Sequence, residues 1–169
     1  FDSKYSGVST TDPLSPTAIK VPTLTDELQI ASGGKSDIVA FAPDASAALA
    51  SGGHAASGVY WIDDYNGKWA SSSFYKTKQY IVDQHNRSSQ SLSLTIGTLM
   101  WRPAIDIANY KAFPYTQNIY NFQHYFGKDK TNQFKLFKQS PLVNTEVRQM
   151  AEKILNAGTI GKHTYPDFL

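Results

Sequence analysis

The sequence predicts an α/β fold, a short sheet flanked by helices and extended by an aromatic β-hairpin, and three observations predict it. A continuously apolar run, "DIVAFAP", passes into an alanine-rich stretch, "DASAALASGG". Two aromatic, β-prone runs, "GVYWI" and "KWASSSFY", are joined by five residues, "DDYNG". A long amphipathic segment, "NTEVRQMAEKILNAG", follows nearer the end.

Taken in order, the opening "FDSKYSGVSTTDPLSPTAIKVPT" mixes Gly, Ser, Thr and Pro without a period and reads as an irregular lead-in. "TLTDELQIASGG" reads as a helix: Thr23 is the N-cap with Asp26 at N3, Leu24, Leu28 and Ala31 recur at helical spacing, and Gly33-Gly34 stops it. "DIVAFAP" has the unbroken apolar character of a strand covered on both faces. "DASAALASGG" has helical propensity and a second stop at Gly52-Gly53. Helix, strand, helix in this order suggests a βαβ organisation.

The hairpin follows because Asn66 and Gly67 accept the positive φ that tight turns need. "KTKQYIVDQHN" reads as a helix with Tyr80 and Ile81 inward, and "SLSLTIGTLMW" as a strand or loop. Residues 102–139, rich in Tyr, Phe, Asn and Gln and interrupted by Pro103 and Pro114, read as a long packed loop region. In the last helix Val147, Met150, Ala151, Ile154 and Leu155 form one apolar face, with Gly158 as its stop. The chain begins at Phe1 and closes on "YPDFL", which reads as the first step of a strand. Both ends therefore read as cuts in something longer.

With 169 residues the chain has the size of one domain, and residues 1–169 are expected to form a single one. Charged residues make up 18% against a usual share of about 25%. Aromatics reach 13%, so cohesion is expected from aromatic packing more than from ion pairs. Sixteen basic and fourteen acidic residues, spread along the chain for a net charge of +2, offer no basic cluster for nucleic acid. The absence of cysteine excludes disulfides, thiolate catalysis and cysteinyl metal sites. No apolar run approaches the roughly 18 residues of a membrane span.

Local motifs offer no complete catalytic set. His54, His85, His124 and His163 are dispersed, and none is read as sharing a helix face with a second ligand, so no metal site is assigned. Asp63-Asp64 has the residue type for paired acid–base work, yet adjacent carboxylates in a turn point apart, and the turn reading is preferred. Gly33-Gly34-Lys35-Ser36 lacks the first glycine of a phosphate loop and follows a helix instead of opening one. Tyr60, Trp61, Trp69, Phe74 and Tyr75 are able to stack a sugar or base, but pairing across a hairpin to cover a core is the preferred reading. Asn86-Arg87-Ser88 matches a glycosylation sequon, a pattern frequent by chance.

Four blocks in one order carry a resemblance. These are "YSGVSTTDPLSPTAIKVPTLTDEL", "DIVAFAPDASAALASGGHAASGVYWID", "GKWASSSFY" and "SPLVNTEVRQMAEKIL…GKHTYPDFL". Together they resemble the central part of bacterial, phosphate-irrepressible alkaline phosphatases, in the type I phosphodiesterase and nucleotide pyrophosphatase branch of the alkaline phosphatase superfamily. The resemblance implies an alkaline-phosphatase-like α/β fold and a periplasmic or secreted hydrolase of phosphoric esters. It implies two zinc ions and a threonine nucleophile in that larger enzyme, with none of the ligands, the nucleophile or any catalytic residue in this chain. The segment alone is accordingly expected to be inactive.

The resemblance also implies substrate-facing places for Asp44, His54 and Tyr75. The expected partner is a small phosphate ester, with no nucleic acid beyond nucleotides and with a homodimer through exposed surfaces as a further expectation. One departure stands out: the family carries Lys-Asp-Arg at the end of the strand, whereas here Pro43 and Ala45 flank Asp44. Loss of two charge-assisted contacts to a phosphate dianion implies weakened monoester recognition, and hence a diesterase or another ester hydrolase. The rival expectation is a non-catalytic module of the cell envelope that holds a glycan or a protein on its aromatic hairpin and the stretch from Tyr110 to Phe137. On that reading Trp69→Ala abolishes binding and leaves the fold intact.

Overall fold

A computed structural model describes residues 4–75, 79–111 and 124–169. Strand β1 (Gly7–Val8) precedes helix α1 (Leu24–Ala31), strand β2 (Val39–Ala42) and helix α2 (Ala45–Gly52). Strands β3 (Gly58–Ile62) and β4 (Trp69–Ser72) form the hairpin. Helices α3 (Gln79–Arg87) and α4 (Leu92–Thr95), the short ribbon of β5 (Met100–Trp101) and β6 (His124–Tyr125), and helices α5 (Gln133–Lys138) and α6 (Leu142–Ala157) complete the order.

The parallel pairing of β2 with β3 runs from Val39 opposite Gly58 to Ala42 opposite Trp61, and α2 makes the crossover between them. β4 returns antiparallel on β3, with Trp61 facing Ala70 and Ile62 facing Trp69, and β1 pairs with the far end of β4. The sheet order is β1-β4-β3-β2. Beyond β2 the chain's last residues add a parallel bridge: the Val39 N–H donates to the Phe168 carbonyl and the Phe168 N–H to the Asp37 carbonyl, each at 3.0 Å. The strand-like reading of "YPDFL" agrees with this pairing.

Every residue of β3 is buried, because strand alternation feeds two cores at once. Val39, Tyr60, Ile62 and Trp69 pack against Ile81, Phe134, Phe137, Met150 and Ile154 from α3, α5 and α6. On the other face Ala40, Val59, Trp61 and Ala70 meet Ala48 and Leu49 of α2, with Tyr75 alongside. The hairpin aromatics Tyr60, Trp61, Trp69 and Tyr75 are thus core residues. Full burial of each contributes on the order of 2–3 kcal/mol.

The turn between β3 and β4 is fixed by Asp63, which accepts the backbone N–H groups of Tyr65 at 2.9 Å and Asn66 at 2.8 Å. Gly67 follows with φ of 67°, and a Cβ there would lie 2.1 Å from Cε1 of Phe134. Both the dihedral and the ring demand glycine.

Several expectations are corrected. α1 has the expected capping box, Thr23 to Asp26, but turns its polar side inward: Thr25 and Asp26 are buried, whereas Leu24 is 78% exposed. The reason is a set of hydrogen bonds to the end of α2 that outweighs the apolar periodicity, beginning with Thr25 Oγ1 to the Ser51 carbonyl at 2.9 Å. Ile81 points inward as expected, but Tyr80 is 64% exposed, since adjacent helical residues cannot share one face. "SLSLTIGTLMW" is mainly a single helical turn and a 3-10 turn, with only Met100–Trp101 extended. The stretch 102–139 is not all loop: α5 seats Phe134 and Phe137 in the core, and residues 112–123 lie outside the described residues.

Candidate functional site

In an open α/β sheet, loops at the carboxyl ends of the parallel strands converge on one side, where ligands usually sit. Here β2 leads through Pro43 to Asp44 at the N-cap of α2, and β3 leads to Asp63 and Asp64. The Asp44 side chain makes no capping hydrogen bond. It pairs instead with Lys138 Nζ, 2.9 Å from Asp44 Oδ1, and the same ammonium pairs with Asp64 Oδ1.

Lys138 closes the last turn of α5, and its side chain is only 10% exposed, against 65% for Asp44 and 37% for Asp64. Burial pulls the ammonium down, but hydrogen bonds and charge from Asp64, then Asp44, outweigh that and hold it above its ordinary value. Asp63 and Asp64 therefore do point apart. The inner carboxylate is buried under backbone N–H groups and the outer one meets a lysine, so only the outer one keeps contact with solvent.

His54 lies just past the opposite end of α2 from Asp44. Its Nδ1 is 3.0 Å from Asp26 Oδ2 and its Nε2 3.2 Å from the Ile19 carbonyl. Asp26 also accepts the backbone N–H groups of His54 at 2.7 Å, Ala55 at 2.9 Å and Thr23 at 2.9 Å. Burial alone would raise this carboxyl. The hydrogen bonds from His54, Thr23 and Ala55 prevail and hold it well below the usual carboxylate range. A cleft of about 580 Å³ opens beside this pair, lined by Lys20, Val21, Pro22, Gln29 and Ile30 among others.

Tyr75 is buried, and its hydroxyl donates to the Gly53 carbonyl at 2.7 Å. Burial first, and the charge of Asp26 second, push its phenol above the ordinary range. Tyr75 and His54 thus converge on the turn that ends α2. Asp44 begins α2 and belongs to the strand-end group.

A polar cluster that sequence reading missed lies under the sheet. Glu146 of α6 accepts from Trp69 Nε1 at 2.8 Å and from His85 Nε2 at 2.9 Å, while Lys153 Nζ lies 2.6 Å from His85 Nδ1. Donation by Lys153 to Nδ1 fixes the tautomer with hydrogen on Nε2. The only local signal was an acidic residue on the apolar side of α6, one turn before Met150. A second omission is His163 with Asp167 four residues on: its Nδ1 is 3.1 Å from Asp167 Oδ2, in a segment that is not helical.

Other motifs take structural places. Gly33 and Gly34 both have positive φ at the end of α1, and Lys35 donates to Tyr165 Oη at 2.9 Å. The sequon's Asn86 holds both backbone groups of Trp69: the Trp69 N–H donates to Oδ1 at 2.9 Å, and Nδ2 donates to the Trp69 carbonyl at 2.8 Å. Burial of Trp69 also corrects the expectation that Trp69→Ala would spare the fold. In the stretch from Tyr110 to Phe137, Phe126, Phe134 and Phe137 are likewise core residues. Among the described residues no three His, Asp or Glu side chains come together to hold a metal ion. The side chains described do not fit a zinc centre.

No family model matches the chain. It is 27% identical over 166 residues to alkaline phosphatase PhoV of Synechococcus elongatus, a match covering 92% of this chain and 30% of PhoV. Alkaline phosphatase PafA of Elizabethkingia meningoseptica is 25% identical over 173 residues, again covering 92% and 30%. A protein named calcium-transporting ATPase from Myroides odoratus is 24% identical over 159 residues, covering 88% and 29%. Crystal structures of PafA match in fold: a Thr→Ser, Asn→Ala, Lys→Ala, Arg→Ala variant at TM-score 0.78 and 24% identity, and the wild type at 0.72 and 21%. Each match covers 99% of this chain and 35% of PafA. The chain spans about 30% of the length of the curated relatives it matches.

Proposed function

We propose, from the premise that this chain is an alkaline-phosphatase-superfamily segment with part of the PafA-like fold, that it is the substrate-facing central piece of a zinc-dependent phosphoric ester hydrolase. Residues 1–169 act as one unit of that enzyme. The threonine nucleophile and the ligands of its two zinc ions belong to other parts of it. Zinc held there would supply positive charge to the nucleophile and to the transferring phosphoryl group. This chain contributes the scaffold beside the phosphate, with Asp44 at the strand ends and with His54 and Tyr75 bracing the turn after α2. It is inactive by itself.

One observation carries the reading: similarity in sequence and in fold runs over nearly all of the chain, at 92% and 99% respectively, and does not stop at one motif. A shared superfold would support fold alone. Agreement of both over one co-extensive stretch supports common chemistry. Export to the periplasm or cell surface, a phosphodiesterase or nucleotide-pyrophosphatase type of substrate, and dimerisation through exposed surfaces belong to the same proposal.

The deciding assay uses the longer protein containing this chain, with aryl phosphate mono- and diesters and added zinc. Turnover of at least one class is expected, with none from residues 1–169 alone. Failure to turn over either class would sink the proposal.

A further inference from the structure

We propose that Asp44 and Asp64 act as a charge filter at the carboxyl ends of β2 and β3, by neutralising Lys138 so that this end of the sheet rejects phosphate dianions and admits singly charged diesters. The proposal deepens the functional reading above and rests on phosphoric esters approaching this end of the sheet.

The local sequence places no cation next to Asp44, because Pro43 and Ala45 flank it. Lys138 arrives instead from α5 and lies between two carboxylates. Two carboxylates against one ammonium leave the trio with one net negative charge. The order from solvent inward matters as much as the sum. Asp44 and Asp64 are 65% and 37% exposed while Lys138 is 10% exposed, so an arriving anion meets carboxylate oxygens first.

An ammonium whose donors are engaged by two carboxylates has to release one of them before it can hold an arriving anion. Repulsion grows with ligand charge, so a dianion is penalised about twice as heavily as a monoanion at the same distance. Specificity of this kind comes from a repulsive element as much as from an attractive one. The trio is therefore a specificity device, and Lys138 is a latent anion contact that the two aspartates keep occupied.

The test measures binding and not turnover, using the full chain with inorganic phosphate at pH 8 as the dianion and dimethyl phosphate as the diester monoanion, followed by NMR titration. The wild type should bind phosphate no more tightly than dimethyl phosphate. Asp44→Asn with Asp64→Asn should tighten phosphate at least tenfold and the diester much less, and adding Lys138→Gln should remove the gain. Phosphate affinity unchanged in the double variant, or a gain that survives Lys138→Gln, overturns the proposal. The wild-type comparison needs no variant to fold, and tighter phosphate than diester binding there overturns it as well. Because these affinities are read without turnover, their failure refutes the filter alone, whereas absent turnover in the longer protein refutes the function alone.

Discussion

Replacing Glu146 by Leu removes the one acceptor shared by two buried donors, the indole N–H of Trp69 at 2.8 Å and the Nε2–H of His85 at 2.9 Å. Leucine is similar in volume and apolar, so the loss is one of hydrogen bonding and not of packing. Each donor stranded away from water costs about 1–3 kcal/mol, which places the pair at about 2–6 kcal/mol before any relaxation. Local relaxation around the two donors recovers part of this, and the lower half of that range is expected. With a denaturation slope of about 2 kcal/mol/M in urea, a loss of about 3 kcal/mol lowers the midpoint by about 1.5 M. Glu146→Gln keeps an acceptor oxygen in place and gives up only charge assistance, so its cost should stay near 1 kcal/mol. Urea titrations followed by tryptophan fluorescence and by far-UV circular dichroism measure both variants. The reasoning is refuted if Glu146→Leu lies within 0.5 M of wild type, or if the glutamine variant is the less stable of the two.

Asp26 gives a pH signature. Its carboxyl is held below the unfolded value of about 3.9, so folding gains from its ionisation above that value and loses the gain as pH falls. Asp26→Asn should cost about 2–3 kcal/mol at pH 7, and the gap to wild type should close as pH drops below about 4; a gap that stays constant on acidification contradicts this. Gly67→Ala meets both a φ of 67° and the Phe134 ring at 2.1 Å. It should cost at least about 2 kcal/mol by thermal or urea unfolding, and a neutral result would mean that the turn and α5 shift at little cost.

What the sequence disclosed and what it concealed divide along range. The hairpin was legible because its turn chemistry and its aromatics lie within nineteen residues, and the capping box of α1 because it is complete between Thr23 and Asp26. The buried side of α1 was not legible. Its partners, Ser51, His54 and Ala55, stand 26 to 29 residues away, and hydrogen bonds to them reverse what apolar spacing dictates. Glu146 reaches across 77 residues to Trp69 and 61 to His85, beyond any local pattern. α5 has six residues, too few for periodicity, yet it delivers Lys138 to Asp44 and Asp64. Asp44 was read as substrate-facing and Asp64 as a turn residue, whereas Lys138, which pairs with both, carried no local signal.

The two flanks of the sheet have a consequence for life in a crowded solution. An open strand border is a template on which a second molecule can add itself and begin a fibre. β2 is met at its first residue, Val39, by Phe168, and β4 by β1 at Ser71 and Ser72 and by the amide of Asn86 at Trp69. That amide donates and accepts as a neighbouring strand would, but it is a side chain and offers no next row to copy. Aggregation is therefore resisted by single-residue seals, and replacing Asn86 by alanine would remove one of them.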